Sequence, residues 1–172
     1  MNQAKLLGVV ITDDLKWDKN TEYLVKKAYS RMQLLRKVSE FTTSVEDKKE
    51  IYILYIRSIL EQSSVVWYSS LTNENAEDLE RVQKSAVKLI LGEKYENYEE
   101  GLIKANLDSL KDRRELLCQK FASKYVSSDI SRVKNMFQVK KHFHPMKIRN
   151  NEKFDVKFAN TERLKKSSIP YM

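Results

Sequence analysis

The chain has few of the residues that make tight turns. Its 172 residues include only 3 glycines and 2 prolines, whereas 33% of them are charged. Because glycine and proline form most sharp turns, their scarcity favours long helices with short connections. The length is sufficient for a sizeable buried core. We therefore predict a mainly α-helical protein.

Cysteine and histidine are also scarce. The single cysteine, Cys118, excludes an intramolecular disulfide bond. One cysteine and two histidines are too few for the four ligands of a structural zinc site. Three scattered glycines cannot form a glycine-rich phosphate loop. We expect neither a metal nor another cofactor for this chain by itself.

Long apolar runs and a signal peptide are also lacking. This composition predicts an intracellular protein, cytoplasmic or nuclear, with no membrane partner. No small-molecule substrate is expected either.

The formal net charge of +8 is unevenly distributed. Residues 1–126 hold 21 basic and 20 acidic side chains, whereas residues 127–172 hold 11 and 4. A basic tail can act as a solvated segment, or it can bind a polyanion by releasing counterions from phosphates. Because residues 127–172 show no sustained periodicity, we predict a loosely ordered tail, with one short strand possible at residues 154–158.

The first apolar segment has the composition of a buried strand. Residues 5–12 predict that strand, Asp13 and Asp14 a turn, and residues 15–17 a possible second strand. No later segment offers a clear partner strand. Since an isolated strand leaves backbone groups unpaired, the chain is expected to be part of a larger protein.

Helical patterns occupy the region that follows. The first helix, capped by Asp18 or Asn20, has an apolar stripe formed by Val25, Ala28, Met32, Leu35 and Val38. Ser44 is expected to cap a second, central helix that is apolar nearly all round and is therefore covered by its neighbours. The serine pairs at 63–64 and 69–70, on either side of Trp67 and Tyr68, are expected to bend or end this helix before a polar loop at residues 72–75. A third helix stops at Gly92, and a brief helix contains Leu102 and Ile103. Asp108 or Ser109 caps the last helix, whose inward residues are expected to be Leu110, Leu117, Phe121 and Tyr125.

These patterns divide the chain into three parts. Residues 1–17 form a strand or hairpin, residues 18–126 a bundle of about four to five helices, and residues 127–172 the tail. The fold class is a small helical bundle preceded by an N-terminal β-strand or hairpin.

Several side chains suggest chemistry without establishing it. Asp13 and Asp14 follow a strand, as metal-binding carboxylates of nucleotidyl-transfer enzymes do, but aspartate is also a common turn residue. His142 and His144 could share a metal with a partner chain, although a basic tail can contain such a pair incidentally. Cys118 lies beside the core stripe of its helix, where a free cysteine behaves as a small hydrophobe. None of these residues is predicted to be catalytic.

Five ordered blocks resemble one family. Residues 5–12 with 15–17 resemble the "YLGV.ID..L.W" segment that closes the palm of reverse transcriptases from jockey-like retrotransposons without long terminal repeats. The blocks that follow are similar to "KKA...L..LR" (residues 26–36), "RPILEYASPVW" (57–67), "LE.VQ+.A" (79–86), and "L..RR" with a terminal "RY..S.IPY" (110–114 and 163–172). Ser58 and Val65 replace the two prolines of the family pattern, and Gln62 replaces its tyrosine.

The resemblance implies that this chain corresponds to the end of the palm, the thumb and the region after the thumb of such a reverse transcriptase. The catalytic carboxylates of such a polymerase lie upstream, so this chain is expected to be an RNA-directed DNA polymerase fragment without activity of its own, and magnesium is expected only in the complete enzyme. Its expected partners are an RNA/DNA template-primer duplex and the upstream palm domain.

The alternatives are a helical protein-interaction module and, ranked last, an enzyme that uses Asp13 and Asp14. The residues predicted to contact phosphates are Lys26, Lys27, Arg31, Arg36 and Lys37 of the first helix, with Lys140, Lys141, Lys147 and Arg149 of the tail.

Overall fold

The computed structural model describes residues 3–41 and 44–126. Its elements are β1 (Gln3–Leu6), β2 (Val9–Thr12), α1 (Asp18–Phe41), α2 (Val45–Ile51), a π-helical segment (Tyr52–Arg57), α3 (Ser58–Leu60), α4 (Ser64–Trp67), a 3-10 turn (Tyr68–Ser70), α5 (Asn73–Leu91), a second 3-10 turn (Gly92–Lys94), α6 (Tyr98–Ala105) and α7 (Leu110–Val126). The predicted helical bundle with an N-terminal hairpin is confirmed. Within these ranges, no helix is both long enough and apolar enough to cross a membrane. The predicted tail, with its possible strand at residues 154–158, lies outside the described residues.

The N-terminal hairpin differs from the predicted single strand. β1 and β2 pair antiparallel with Leu6 opposite Val9, so Leu7 and Gly8 form a two-residue loop. Both loop residues have positive φ, 48° and 85°, as a type I′ hairpin turn requires. The prediction of one strand over residues 5–12 was therefore wrong, and residues 15–17 form no strand. The first strand finds its partner within the same apolar segment.

Side-chain contacts hold the hairpin against the helices. Val9 is buried in the core, and Asn20 Oδ1 accepts a hydrogen bond of 3.0 Å from the backbone N–H of Val10. Asn20 therefore lies inside α1 and ties the hairpin to it, rather than capping the helix. On the loop, Gln62 Nε2 donates to the carbonyl of Leu7 over 3.1 Å. A Cβ on Gly8 would lie 2.2 Å from that nitrogen, so the site favours glycine by contact as well as by φ.

Leu7→Asn is expected to stabilise the hairpin by about 0.5–1 kcal/mol, because asparagine tolerates the left-handed conformation better than leucine. Leu7 is 87% exposed, so little packing is lost. Hydrogen exchange of the hairpin amides measures the free energy of local opening. As a control, Leu6→Asn places asparagine in a strand and should weaken protection. Equal protection in Leu7→Asn and the unmodified chain would contradict the prediction.

The core lies between α1, α5 and the central helical segments. α1 contributes Leu24, Ala28, Met32 and Leu35, all of which are buried. Val25 and Val38, predicted to share this stripe, are only half-buried. The inward face of α1 is therefore rotated slightly from the predicted one, which leaves Val25 near its edge.

The central segment is helical, as predicted, but it is neither continuous nor fully covered. Ser44 caps it by accepting a hydrogen bond from the N–H of Asp47, as predicted. The helix breaks before Ser64, because Ser63 adopts a left-handed conformation with φ 52°. Leu54 and Tyr55 are 64% and 49% exposed. Among the described residues, the expected cover by neighbouring elements is therefore incomplete on the side of Leu54 and Tyr55.

The last helices keep their predicted ends but not the predicted inward face. α5 ends at Gly92, as predicted, and Ser109 Oγ accepts a hydrogen bond of 3.1 Å from the N–H of Asp112 at the start of α7. The inward residues of α7 are spaced four apart: Leu110, Arg114 and Cys118. Phe121 is partly exposed. The predicted inward stripe of Leu110, Leu117 and Phe121 was wrong beyond Leu110. The next inward residue after Leu110 is Arg114, four positions later. The side chain of Tyr125, also predicted to point inward, lies outside the described part of the chain.

Candidate nucleic-acid interface

Three of the predicted phosphate-contacting residues lie close together on α1. Lys26, Lys27 and Arg31 line a shallow depression of about 400 Å³ with Tyr23 and Ser30. Lys26 and Arg31 are exposed, and Lys27 is half-buried. We call this surface the Tyr23 patch.

The other two basic residues of α1 lie farther along the helix. A regular α-helix turns by about 100° per residue, which places Lys37 almost in line with Lys26. Arg36 falls on the opposite side of the helix from Lys27, about 180° away. Arg36 therefore lies outside the arc of the helix surface that the other four residues share. Four of the five can approach one extended ligand together.

The hairpin adds a cation to the Tyr23 patch. Lys5 Nζ donates a hydrogen bond of 2.8 Å to Tyr23 Oη and lies 4.2 Å from the centre of its ring. Lys27 Nζ lies 5.9 Å from the same ring. The hydrogen bond from Lys5, with a smaller contribution from the charge of Lys27, lowers the pKa of the Tyr23 hydroxyl. Lys5 and Tyr23 were missed because their proximity depends on how the hairpin packs against α1.

Acidic residues limit the positive surface at one end. Lys19 forms an exposed 2.8 Å ion pair with Glu22, one turn before Lys26. The hydrogen bond and charge of Lys19, with a smaller effect of Lys26, lower the pKa of Glu22. The ion pairs of the described residues include no carboxylate within 4.0 Å of Lys26, Lys27 or Arg31. Lys26 also shares a neighbouring depression with Asp18, Glu22 and Asp78, whose negative charges offset part of its own, while Lys26 and Arg31 remain exposed.

Asp13 and Asp14 form the predicted turn. Thr12 Oγ1 and the Lys16 N–H both donate to Asp14 Oδ1, over 2.6 and 3.1 Å. These hydrogen bonds, chiefly the one from Thr12, lower the pKa of Asp14. Asp13 Oδ1 accepts the N–H of Asp14. The geometry accounts for both carboxylates as turn residues.

The remaining candidates contribute little to a site. Cys118 is buried as predicted, and burial, with the nearby charge of Glu115, raises the pKa of its thiol. Within residues 3–41 and 44–126, no three or more histidine, cysteine, aspartate or glutamate side chains are grouped so that they could hold a metal ion. The tail candidates lie outside the described residues: Lys140, Lys141, His142, His144, Lys147 and Arg149.

Comparison of the chain with protein-family models, curated proteins and solved structures gave no match.

Proposed function

We propose that the chain binds the phosphate backbone of an RNA/DNA template-primer duplex through the exposed side of α1. In this proposal it is the thumb and post-thumb part of a reverse transcriptase of the retrotransposon family that its sequence resembles. The Tyr23 patch is the observation that most supports the proposal.

The patch has the chemistry of a phosphate-binding surface. Lys26, Lys27 and Arg31 surround one depression, and Lys5 approaches it from the hairpin. Lysine and arginine side chains that neutralise phosphates release counterions, which gives affinity without sequence specificity. Binding through such a patch would be strong at low salt and weak at high salt.

The length of the surface suits a duplex. Lys26 and Lys37 are eleven positions apart on a continuous helix, which corresponds to about 16 Å along the axis. That distance matches about five base pairs at roughly 3.4 Å of axis each. The basic tail residues are proposed as further phosphate contacts.

The proposal includes no polymerase activity for the chain alone. The family resemblance places the catalytic carboxylates in an upstream palm domain, which would also supply the magnesium site. The palm would contact the hairpin. Primer extension by the purified chain would contradict this part of the proposal.

Lys26→Gln/Lys27→Gln is expected to weaken duplex binding and to lower its salt dependence. Each lost phosphate contact should reduce the slope of log affinity against log salt by about 1, so we expect a decrease of about 2. The measurement is fluorescence anisotropy of a labelled RNA/DNA hybrid titrated with full-length protein at several salt concentrations.

A matched control separates local contact from overall charge. Lys88→Gln/Lys120→Gln removes the same charge from exposed positions on α5 and α7. We expect this variant to keep the slope of the unmodified chain. Equal slopes for the two double variants, or no binding of the hybrid at low salt, would refute the proposal.

A protein-interaction module is the second candidate, and the hairpin favours it. All of β1 is exposed, including Leu6 at 61%, and its outer edge pairs with no strand among the described residues. Such an edge can accept a strand from another protein. The anisotropy experiment distinguishes the two candidates, because a module of this kind would not bind the hybrid even at low salt.

A further inference from the structure

A second depression lies apart from the Tyr23 patch, between the first 3-10 turn and the starts of α5 and α7. Its volume is about 560 Å³, within the usual range for small-molecule sites. Its walls include Tyr68, Leu71 and Ala76, and its polar groups include Ser69 and Arg114. We call it the Arg114 pocket.

Arg114 is the unusual residue of this pocket. Its side chain is 1% exposed, and its buried Nε and Nη2 atoms have no hydrogen-bond partner. The rings of Trp67 and Tyr68 lie 5.8 and 5.7 Å from the guanidinium carbon. These rings offer the cation a favourable surface, but they do not accept the two in-plane N–H hydrogen bonds.

The neighbouring arginine shows what such a pair of N–H groups binds. Arg113 uses Nε and Nη2 to hold the two carboxylate oxygens of Glu61, at 2.6 and 3.2 Å. This fork matches the geometry of a carboxylate. Arg114 has the same fork, buried and without an oxygen acceptor.

A second unpartnered group lines the same pocket. Ser69 Oγ is buried and has no hydrogen-bond partner. Two other hydroxyl groups of the pocket already have partners. Thr72 and Ser109 each accept a hydrogen bond from a backbone N–H of the helix that they cap. Among the residues that line the pocket, Arg114 and Ser69 are therefore the ones with buried polar atoms that lack a hydrogen-bond partner.

The charge around the pocket restricts the kind of anion. Glu77, Glu80 and Lys111 also line it, so these three side chains carry a formal net charge of −1. Two carboxylates would repel a dianionic phosphate more strongly than a singly charged ligand. The apolar walls favour a ligand with an apolar body.

We propose that the Arg114 pocket binds a monocarboxylate with a compact apolar or aromatic body. Arg114 Nε and Nη2 and Ser69 Oγ have almost no accessible surface in this structure, so binding requires these two side chains to turn toward the depression. The carboxylate then accepts from the three donor atoms, and the body packs against Tyr68, Leu71 and Ala76. This site is independent of the Tyr23 patch and of the proposed duplex binding.

The test is isothermal titration calorimetry of the full-length chain with benzoate. A ligand of this size should bind with a dissociation constant of about 1 mM or lower. Arg114→Lys keeps the charge but removes the fork, and binding should weaken at least about tenfold. Ala76→Leu is a second test, which remains informative if Arg114→Lys does not fold. It leaves Arg114 intact, and its larger side chain fills part of the pocket, so it should abolish benzoate binding. Lys26→Gln/Lys27→Gln is the control and should bind benzoate normally.

Inorganic phosphate is the competing ligand. Under the proposal it binds more weakly than benzoate and displaces it only at high concentration. The proposal is overturned if benzoate fails to bind the unmodified chain, if Ala76→Leu binds it unchanged, or if phosphate is the preferred ligand.

Discussion

Replacing Trp67 with alanine is expected to lower the free energy of unfolding by about 4 kcal/mol. The Trp67 side chain is fully buried at the junction of α4 and the first 3-10 turn. Its Nε1 donates a hydrogen bond of 2.9 Å to the carbonyl of Gln62, across the break in the central helix. The substitution would remove a large packed volume, remove the donor of that partly buried hydrogen bond, and take away one of the two rings beside Arg114.

Guanidinium unfolding followed by circular dichroism measures the effect. Trp17→Ala is the matched control, because Trp17 is the other tryptophan and is only partly buried against the core. Since the cost of truncation grows with the buried volume removed, we expect less than half the loss for the control. A loss for Trp67→Ala no larger than that of Trp17→Ala would show that Trp67 does not hold the break together.

Gln83→Leu is expected to cost about 3 kcal/mol, although it replaces a polar core residue with an apolar one. Gln83 is fully buried on α5 and joins three elements. Its Oε1 accepts from Tyr52 Oη, and its Nε2 donates to Tyr98 Oη and to the carbonyl of Asp108, over 3.1 and 2.8 Å. Leucine would leave the buried Tyr52 hydroxyl without its acceptor.

The tyrosines of this network stay protonated and able to donate. Burial raises the pKa of Tyr52, and burial together with a hydrogen bond to Glu80 raises the pKa of Tyr98. Tyr98 Oη donates to Glu80, which also accepts from the N–H of Leu110. The network therefore connects the central helix, α5, α6 and the start of α7.

A double-mutant cycle tests the origin of the Gln83 effect. Tyr52→Phe removes the hydroxyl that Gln83→Leu leaves unpaired. The double variant should therefore be less destabilised than the sum of the two single variants, by about 1 kcal/mol or more. Additive losses in chemical denaturation would show that lost packing, not the unpaired hydroxyl, explains the cost.

Local signals in the sequence predicted the ends of several helices. Ser44 and Ser109 cap their helices as expected, and Gly92 ends α5 with φ 56°. These features were predictable because each depends on residues within one turn of the chain. The hairpin was harder to predict, because Leu7 is not a residue that usually occupies a left-handed turn position.

The candidate site was predictable only in part. Lys26, Lys27 and Arg31 could be selected as basic residues away from the apolar stripe. The contribution of Lys5 depends on contact with Tyr23, eighteen positions later in the chain. Arg114 gave no signal of burial, since an arginine near the start of a helix is most often solvated.

The sequence alone determined the helical class, the charge distribution and the main helix boundaries, because composition, capping and periodicity act over a few residues. The tertiary structure decided which polar residues are buried. Gln83, Asn20 and Arg114 occupy positions that look ordinary within their helices, and their roles arise from groups brought near them by folding. Burial and hydrogen bonding are properties of the packed chain, so the Tyr23 patch and the Arg114 pocket emerged only when the elements were placed together.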